Sequence, residues 1–299
     1  MAVTPTVEST ELLGRTRSGS PLVRAWAERL CGSELGKLRE RLRSLPTAKN
    51  EFGFDPFGFN PDETLLPLLL VQWLYRHYFR AEVYGLEHIP PGRAILVSNH
   101  GGQLPFDGMC IAAALLLDRQ PPRLLRAMVE KFIPTLPFFS YLFPRWGQIV
   151  GTPENCRRLL DAEEAILVFP EGAKGIAKPF TRRYQLEPFG LGFLRLALET
   201  RSPIVPVAVI GAEEQAPSVN LTRVASFLGA PAFPLMLAPP FTPLLPYPTK
   251  YRIYFHGPLT FDADPDEDDA ELQPLVKQVR NRIQSMVQSG LKERRHIFW

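Results

Sequence analysis

From residue 85 onward, short apolar runs alternate with longer stretches that carry hydrophobic residues on one helical face. Ala94-Ile-Leu-Val-Ser98 is an unbroken apolar run closed by polar residues and glycines, the pattern of a buried strand. Ala165–Phe169 and Pro203–Ile210 repeat it, Leu124–Glu130 is a weaker version, and Lys250–Phe255 alternates like one more strand. Helices are predicted at about 106–118 and 189–199. Another opens at Thr152-Pro153-Glu154, with a capping Thr, Pro at the first position and an acid in the first turn. Seven acids between Asp262 and Glu271 read as a solvated loop, and Leu272 onward as a terminal helix. Strands alternating with helices predict an α/β fold in which helices pack on a sheet.

The first 84 residues have a different texture. Residues 1–20 show no periodicity and read as a tail. Leu35, Leu38, Leu42 and Leu45 recur at helical spacing within a segment, Arg15–Arg43, that has eight basic and three acidic residues. Such a basic amphipathic helix docks either on its own protein or on an anionic membrane. Phe52–Pro61 is an aromatic, turn-rich linker, and an apolar helix is expected over 62–80. The expected organisation is therefore a tail and helical, membrane-docking extension over 1–84, followed by the main domain with its C-terminal helix over 85–299.

Composition narrows the classes. With 45% hydrophobic and 22% charged residues among 299, the chain is neither disordered nor a disulfide mini-protein. Its 34 Lys and Arg against 31 Asp and Glu are too balanced to argue for a nucleic-acid partner. Cys31, Cys110 and Cys156 form no metal or disulfide pattern, so no metal site is expected and a reducing compartment is. Met1–Leu13 has no basic residue and no apolar run, which argues against secretion and for a cytoplasmic protein. The apolar stretches 64–75 and 132–144 are shorter than the roughly 20 residues that cross a bilayer. Residues 224–249 contain seven prolines, so no spanning helix is read there. Aromatic half-length segments beside cations fit peripheral or monotopic membrane association, with Trp73, Tyr75, Phe138 and Phe139 on the docking surface and cations of 15–43 near headgroups. The other reading of these segments is buried core.

The familiar nucleotide and hydrolase patterns (GxGxxG, Walker A, HExxH, GxSxG) are absent. His100 stands directly after a buried run, in Val97-Ser-Asn-His-Gly-Gly-Gln-Leu-Pro-Phe-Asp-Gly108. Strand ends are where open α/β sheets place ligands. Asp107 follows at a predicted helix start, and a turn can fold its carboxylate onto the imidazole, freeing the other ring nitrogen as a general base. A purely structural His–Asp pair is the alternative. Backbone N–H groups near Gly101 and Gly102 suit an oxyanion. A second strand end carries Val168-Phe-Pro-Glu-Gly-Ala-Lys-Gly175, with Glu171 as an acceptor of hydrogen bonds, Lys174 as a cation and Gly172 permitting tight geometry. Lys178, Arg182 and Arg183 extend the positive charge toward a polyanionic ligand, or are simply a charged surface loop.

Taken in order, these segments resemble the glycerolipid acyltransferase superfamily, which includes lysophospholipid and glycerol-3-phosphate acyltransferases. Asn99-His100 through Asp107 is similar to its first motif and Gly147-Gln-Ile-Val-Gly151 stands at its second. Phe169-Pro-Glu-Gly172 is similar to the third and Pro203-Ile-Val-Pro206 to the fourth, the whole covering roughly 85–260. The resemblance implies a central mixed sheet flanked by helices, and transfer of an acyl chain from acyl-CoA or acyl carrier protein to a glycerolipid hydroxyl at a membrane, with no cofactor. It implies His100 as base, Asp107 as its partner, Glu171, Gly172 and Lys174 at the acceptor, and Pro206 shaping the site. Lys178, Arg182 and Arg183 are then candidates for the donor's phosphates. Six residues separate His100 from Asp107 where the family usually has four, which resembles a branch related to neutral-lipid and uncharacterised acyltransferases. The Arg usual in the second motif is replaced by Val150-Gly151-Thr152, which points to a neutral or weakly charged acceptor. A lysophosphatidic acid gripped by Lys174 with Arg182 or Arg183 is the competing acceptor. Two other readings are a non-catalytic lipid-binding scaffold on the same fold and an acyl-thioesterase.

Overall fold

The computed structural model describes residues 21–101, 105–130, 139–176, 178–220, 234–236 and 246–299. Nine strands are present among them: β1 (Glu82–Tyr84), β2 (Ala94–Ser98), β3 (Leu125–Val129), β4 (Ile149–Val150), β5 (Ala165–Val168), β6 (Ile204–Ile210), β7 (Ser218–Asn220), β8 (Pro234–Met236) and β9 (Arg252–Phe255). Seven form one sheet in the order β1-β9-β6-β2-β5-β3-β4, while β7 and β8 pair separately. The run β6-β2-β5-β3-β4 is parallel throughout. β9 lies antiparallel to β6, and β1 parallel to β9, so the sheet is mixed.

The helices are α1 (Pro21–Arg43), α2 (Pro61–Trp73), α3 (Phe106–Leu117), α4 (Phe139–Arg145), α5 (Pro153–Asp161), α6 (Ala173–Ile176), α7 (Gly192–Thr200) and α8 (Asp269–Glu293). Strand side chains alternate between faces, and both faces are covered, so the central strands read as unbroken apolar runs. Ala94, Leu96, Leu167, Val205 and Val207 share one core with Leu38 and Leu42 of α1, Leu65 of α2 and Ile111 of α3. Ile95, Val97, Ile166, Ile204 and Ala208 share the other with Leu159 of α5, Leu194 of α7 and Val279 and Ile283 of α8.

Of the two dockings open to the basic amphipathic helix, α1 takes the first. Its leucines enter the sheet's core, and the Arg41 guanidinium donates to the Arg119 carbonyl at 2.9 Å. β1 lies within the first 84 residues yet forms an edge of the main sheet. The aromatic linker is a built loop. The Asn50 carboxamide oxygen accepts from the N–H groups of Phe52 and Phe54, and Asp55 Oδ1 from those of Phe57 and Phe59. Fully buried Arg126 on β3 pairs with Asp55 and with Glu164, its guanidinium lying over the Phe57 and Phe59 rings. α8 begins at Asp269 instead of Leu272, because acids in a first turn favour the positive helix end.

The expected lipid-facing aromatics divide. Trp73 is 51% exposed, whereas Tyr75 is buried and donates its hydroxyl to Asp118. Tyr75 is therefore core, since a buried phenol with a partner has no reason to face lipid. Phe138 and the side chain of Phe139 lie outside the described residues. Among the described residues no helix is long and apolar enough to cross a membrane.

Candidate active site

β2 lies between β5 and β6 and all three run parallel, so their C-terminal ends open on one edge of the sheet. The loop after each carries polar residues: Asn99-His100-Gly101, Phe169 through Gly175, and Gly211-Ala-Glu-Glu-Gln215. Fully buried Asn99 ties the first loop to β6. Its amide nitrogen donates to the Val209 carbonyl at 2.9 Å and its oxygen accepts from the Val209 N–H at 2.8 Å.

His100 follows as the chain leaves the sheet. Its Nδ1 lies 2.6 Å from Asp107 Oδ2, and its ring stacks on Phe169 with centroids 4.2 Å apart. The six intervening residues therefore do not separate the pair, because α3 begins at Phe106 and brings the Asp107 carboxylate back to the loop. Asp107 is fully buried, and the His100 side chain keeps 12% exposure. Asp107 also accepts from the N–H groups of Gly101 and Gly108, so three donors converge on it. A carboxylate held this way is an acceptor fixed in place, which puts the proton on Nδ1 and leaves the Nε2 lone pair free. Burial alone would pull the imidazole pKa down. The charge and hydrogen bond of Asp107, with the charge of Glu171, outweigh burial and hold it above the ordinary histidine value.

The Gly101 N–H is thus spoken for by Asp107 and does not serve as a free oxyanion donor. Gly102 lies outside the described residues. Gly101 is required sterically, because a Cβ there would stand 2.4 Å from Glu213 Cγ.

Glu171 also differs from its expected place. It is buried, with Oε1 accepting from the His100 N–H at 3.0 Å and Oε2 accepting from the Glu187 N–H at 2.8 Å. These bonds hold the loops together and leave the carboxylate little to offer an acceptor substrate. Lys178 is a clear correction. It is buried, with Nζ at 3.2 Å from Glu171 and 3.0 Å from Glu213, so it is not a solvent-facing ligand for a donor phosphate. Burial pushes the Glu213 carboxyl above its usual range, against the pull of Lys178.

Gly172 turns the chain with φ of 56°, a left-handed conformation that suits glycine. Lys174 stands exposed on α6. Arg182 and Arg183 are also exposed, the first paired with Glu187 at 2.8 Å and the second lying over the Phe180 ring. Pro206 is inside β6 opposite Val97, one layer behind the histidine loop. Val150 lies on the β4 edge, with Gly151 and Thr152 following it. Strand spacing of about 4.8 Å puts β4 some 14 Å across the sheet from β2. Among the described residues no group of His, Cys, Asp and Glu is placed to hold a metal.

Sequence reasoning missed Glu213, Glu214 and Tyr184. Glu213 accepts from the Tyr184 N–H, Tyr184 donates its hydroxyl to Glu214, and Arg294 on the chain after α8 pairs with Glu214. One signal was readable: two acids, Glu213 and Glu214, shortly after the buried run that ends at Ile210, as His100 follows the run that ends at Ser98.

Residues 80–210 match the family model described as Acyltransferase. An uncharacterised protein of Mycobacterium tuberculosis is 38% identical over 296 residues, covering 96% of this chain and 81% of that protein. The Mus musculus protein called DGAT1/2-independent enzyme synthesizing storage lipids is 24% identical over 207 residues, which are 69% of this chain and 59% of its own. The crystal structure of the 1-acyl-sn-glycerophosphate (LPA) acyltransferase PlsC from Thermotoga maritima aligns with a TM-score of 0.50 at 17% identity, covering 92% of this chain and 94% of that one. At that identity the match concerns the fold.

Proposed function

The chain belongs to the acyltransferase family, and on that premise we propose that it transfers a fatty acyl chain from acyl-CoA or acyl carrier protein to the hydroxyl of a neutral glycerolipid at a membrane surface, with His100 as general base. The observation that carries the mechanism is the His100–Asp107 pair at the end of β2, with Nδ1 held and Nε2 unbonded by any described residue. The acceptor hydroxyl attacks the thioester carbon while Nε2 takes its proton. The tetrahedral intermediate collapses, the carbon–sulfur bond breaks, and the departing thiolate recovers the proton from the imidazolium. A thioester is already activated and a thiolate, with thiol pKa near ~8.5, leaves readily, so no protein nucleophile is needed.

Two features favour a neutral acceptor. A phosphate dianion beside the base wants a bidentate Arg or several cations. Here the stretch that would carry that Arg is the uncharged Val150-Gly151-Thr152, and Lys178 is consumed by carboxylates. The mouse relative's name refers to storage lipids, in the same direction. Exposed Lys174, with Arg182 and Arg183, is left for the donor's phosphates. The division into an N-terminal docking extension and a catalytic domain over 85–299 belongs to the same proposal, although the two share a core.

The test incubates purified protein with labelled acyl-CoA or acyl carrier protein and a panel of monoacylglycerol, diacylglycerol, lysophosphatidic acid and glycerol-3-phosphate. Acylated neutral glycerolipid, with its preference barely altered in Lys174→Ala, is expected. A strong preference for a phosphomonoester, lost selectively in Lys174→Ala, would overturn the neutral acceptor. Free fatty acid without transfer would identify a thioesterase, and no turnover a scaffold.

A further inference from the structure

We propose that Lys178 is a positioning residue for His100, a buried cation that clasps the carboxylates of Glu171 and Glu213 and so fixes the backbone on both sides of the imidazole. The proposal rests on the reading of His100 as the base. Its ground is the enclosure of the ammonium. A lysine Nζ has three N–H donors. Here two hydrogen bonds go to Glu213 Oε1 at 3.0 Å and the Gln185 carbonyl at 3.3 Å, and the charge pairs with Glu171 Oε2 at 3.2 Å. The side chain is 3% exposed and lies between two carboxylates, a place closed to a substrate phosphate.

Each carboxylate leads back to the histidine. Glu171 comes from the loop after β5 and accepts the His100 N–H through its other oxygen, at 3.0 Å. Glu213 comes from the loop after β6 and lies under Gly101, its backbone N and its Cγ 3.1 and 2.4 Å from where a Cβ would be. Gly101 in turn donates its N–H to Asp107 Oδ2, the oxygen that holds His100 Nδ1. One ammonium therefore links the loops after β5 and β6, and the loop after β2 is pinned between them. With Asp107, three carboxylates crowd this region around a single buried Lys. Without the cation, Glu171 and Glu213 face each other uncompensated, and a buried unpaired carboxylate takes up a proton or moves to water. Either response loosens a contact that sets the height and tilt of the imidazole, and a misplacement on the order of 1 Å costs about 10²-fold in rate.

The experiment compares Lys178→Met, Glu213→Gln and His100→Ala with wild type. It measures thermal unfolding, kcat, and KM for acyl-CoA with the acceptor found for the wild type. A misplaced base slows the chemical step without weakening donor binding. Folded Lys178→Met is expected to lose about tenfold to a hundredfold in kcat, with KM within about twofold of wild type. Glu213→Gln should follow in the same direction, and it carries the test if Lys178→Met does not fold. Wild-type kcat in a folded variant would overturn the proposal. So would a raised KM at unchanged kcat, which would make Lys178 a substrate ligand. Unfolding of both variants would make the cluster a stability element and likewise overturn it. The His100→Ala arm separates the two readings. If that variant is inactive while Lys178→Met runs at full rate, only the positioning role fails. If His100→Ala is itself active, the base assignment fails.

Discussion

A histidine whose Nδ1 is bonded to a buried carboxylate can accept a proton at one place only. His100 has that arrangement, and the pH dependence of the enzyme should report it. Burial lowers the imidazole pKa, Asp107 and Glu171 raise it, Lys178 opposes them, and the net shift is upward. The base must be neutral to act, so kcat/KM falls as pH drops through a value above that of an ordinary histidine. Asp107→Asn removes the largest upward influence. Its acid limb should move to lower pH while the plateau drops by about 10²-fold, the usual scale of acid–base catalysis. A pH–rate profile checks both parts, and an acid limb that stays in place would show that His100 is not the titrating base. At this scale the first motif was legible, because a His at a strand end followed by an Asp at a helix start is a local pattern. Lys178 was not. Its burial depends on Glu213, 35 positions away in sequence, and nothing in Gly-Ile-Ala-Lys distinguishes a clasped ammonium from a solvated one.

Among the elements, β2, β5 and β6 were readable because both their faces are covered and they contain little but apolar residues. β1 and β4, three and two residues long, escaped because so short a strand shows no period. Tyr75 was misplaced because it sits in an apolar run, while its burial is decided by Asp118 on the segment after α3. The 50–60 loop looked like a linker because its aromatics and turn residues lack periodicity. In the fold it is fastened through Asp55 to Arg126, and both side chains are fully buried. Removing one partner of a buried ion pair leaves the other charge uncompensated, which costs about 3–5 kcal/mol. Arg126 Nε and Nη1 already have no hydrogen-bond partner among the described residues, so Glu164 alone will not restore the balance. Asp55→Ala should therefore lower unfolding free energy in urea by about that amount. A change under about 0.5 kcal/mol would place the loop outside the cooperative unit.

At the scale of the whole molecule, three polar loops meet at parallel strand ends while α1 and α2 cover one face of the same sheet. Leu70 and Trp73 of α2 and Tyr141 of α4 stay 60%, 51% and 55% exposed, with Arg76 and His77 just beyond Trp73. Apolar side chains beside cations suit an anionic lipid surface, each cation near it adding about 1 kcal/mol. The protein should float with anionic vesicles at low salt and be stripped by high salt or carbonate, and Leu70→Glu with Trp73→Glu should reduce the bound fraction. Recovery of the wild-type protein entirely in the soluble fraction at low salt would contradict surface docking. The order of motifs along the chain made the α/β architecture legible. The covering of the sheet by α1 is not legible in the same way, because a basic amphipathic helix looks the same whether its leucines meet protein or lipid. The most direct test of the central claim is acyl transfer by His100→Ala, with folding verified by circular dichroism and thermal unfolding. The structure predicts that this variant keeps its fold and loses transfer from labelled acyl-CoA to a glycerolipid acceptor. Near-normal turnover by the folded variant would contradict the assignment of His100 as the base.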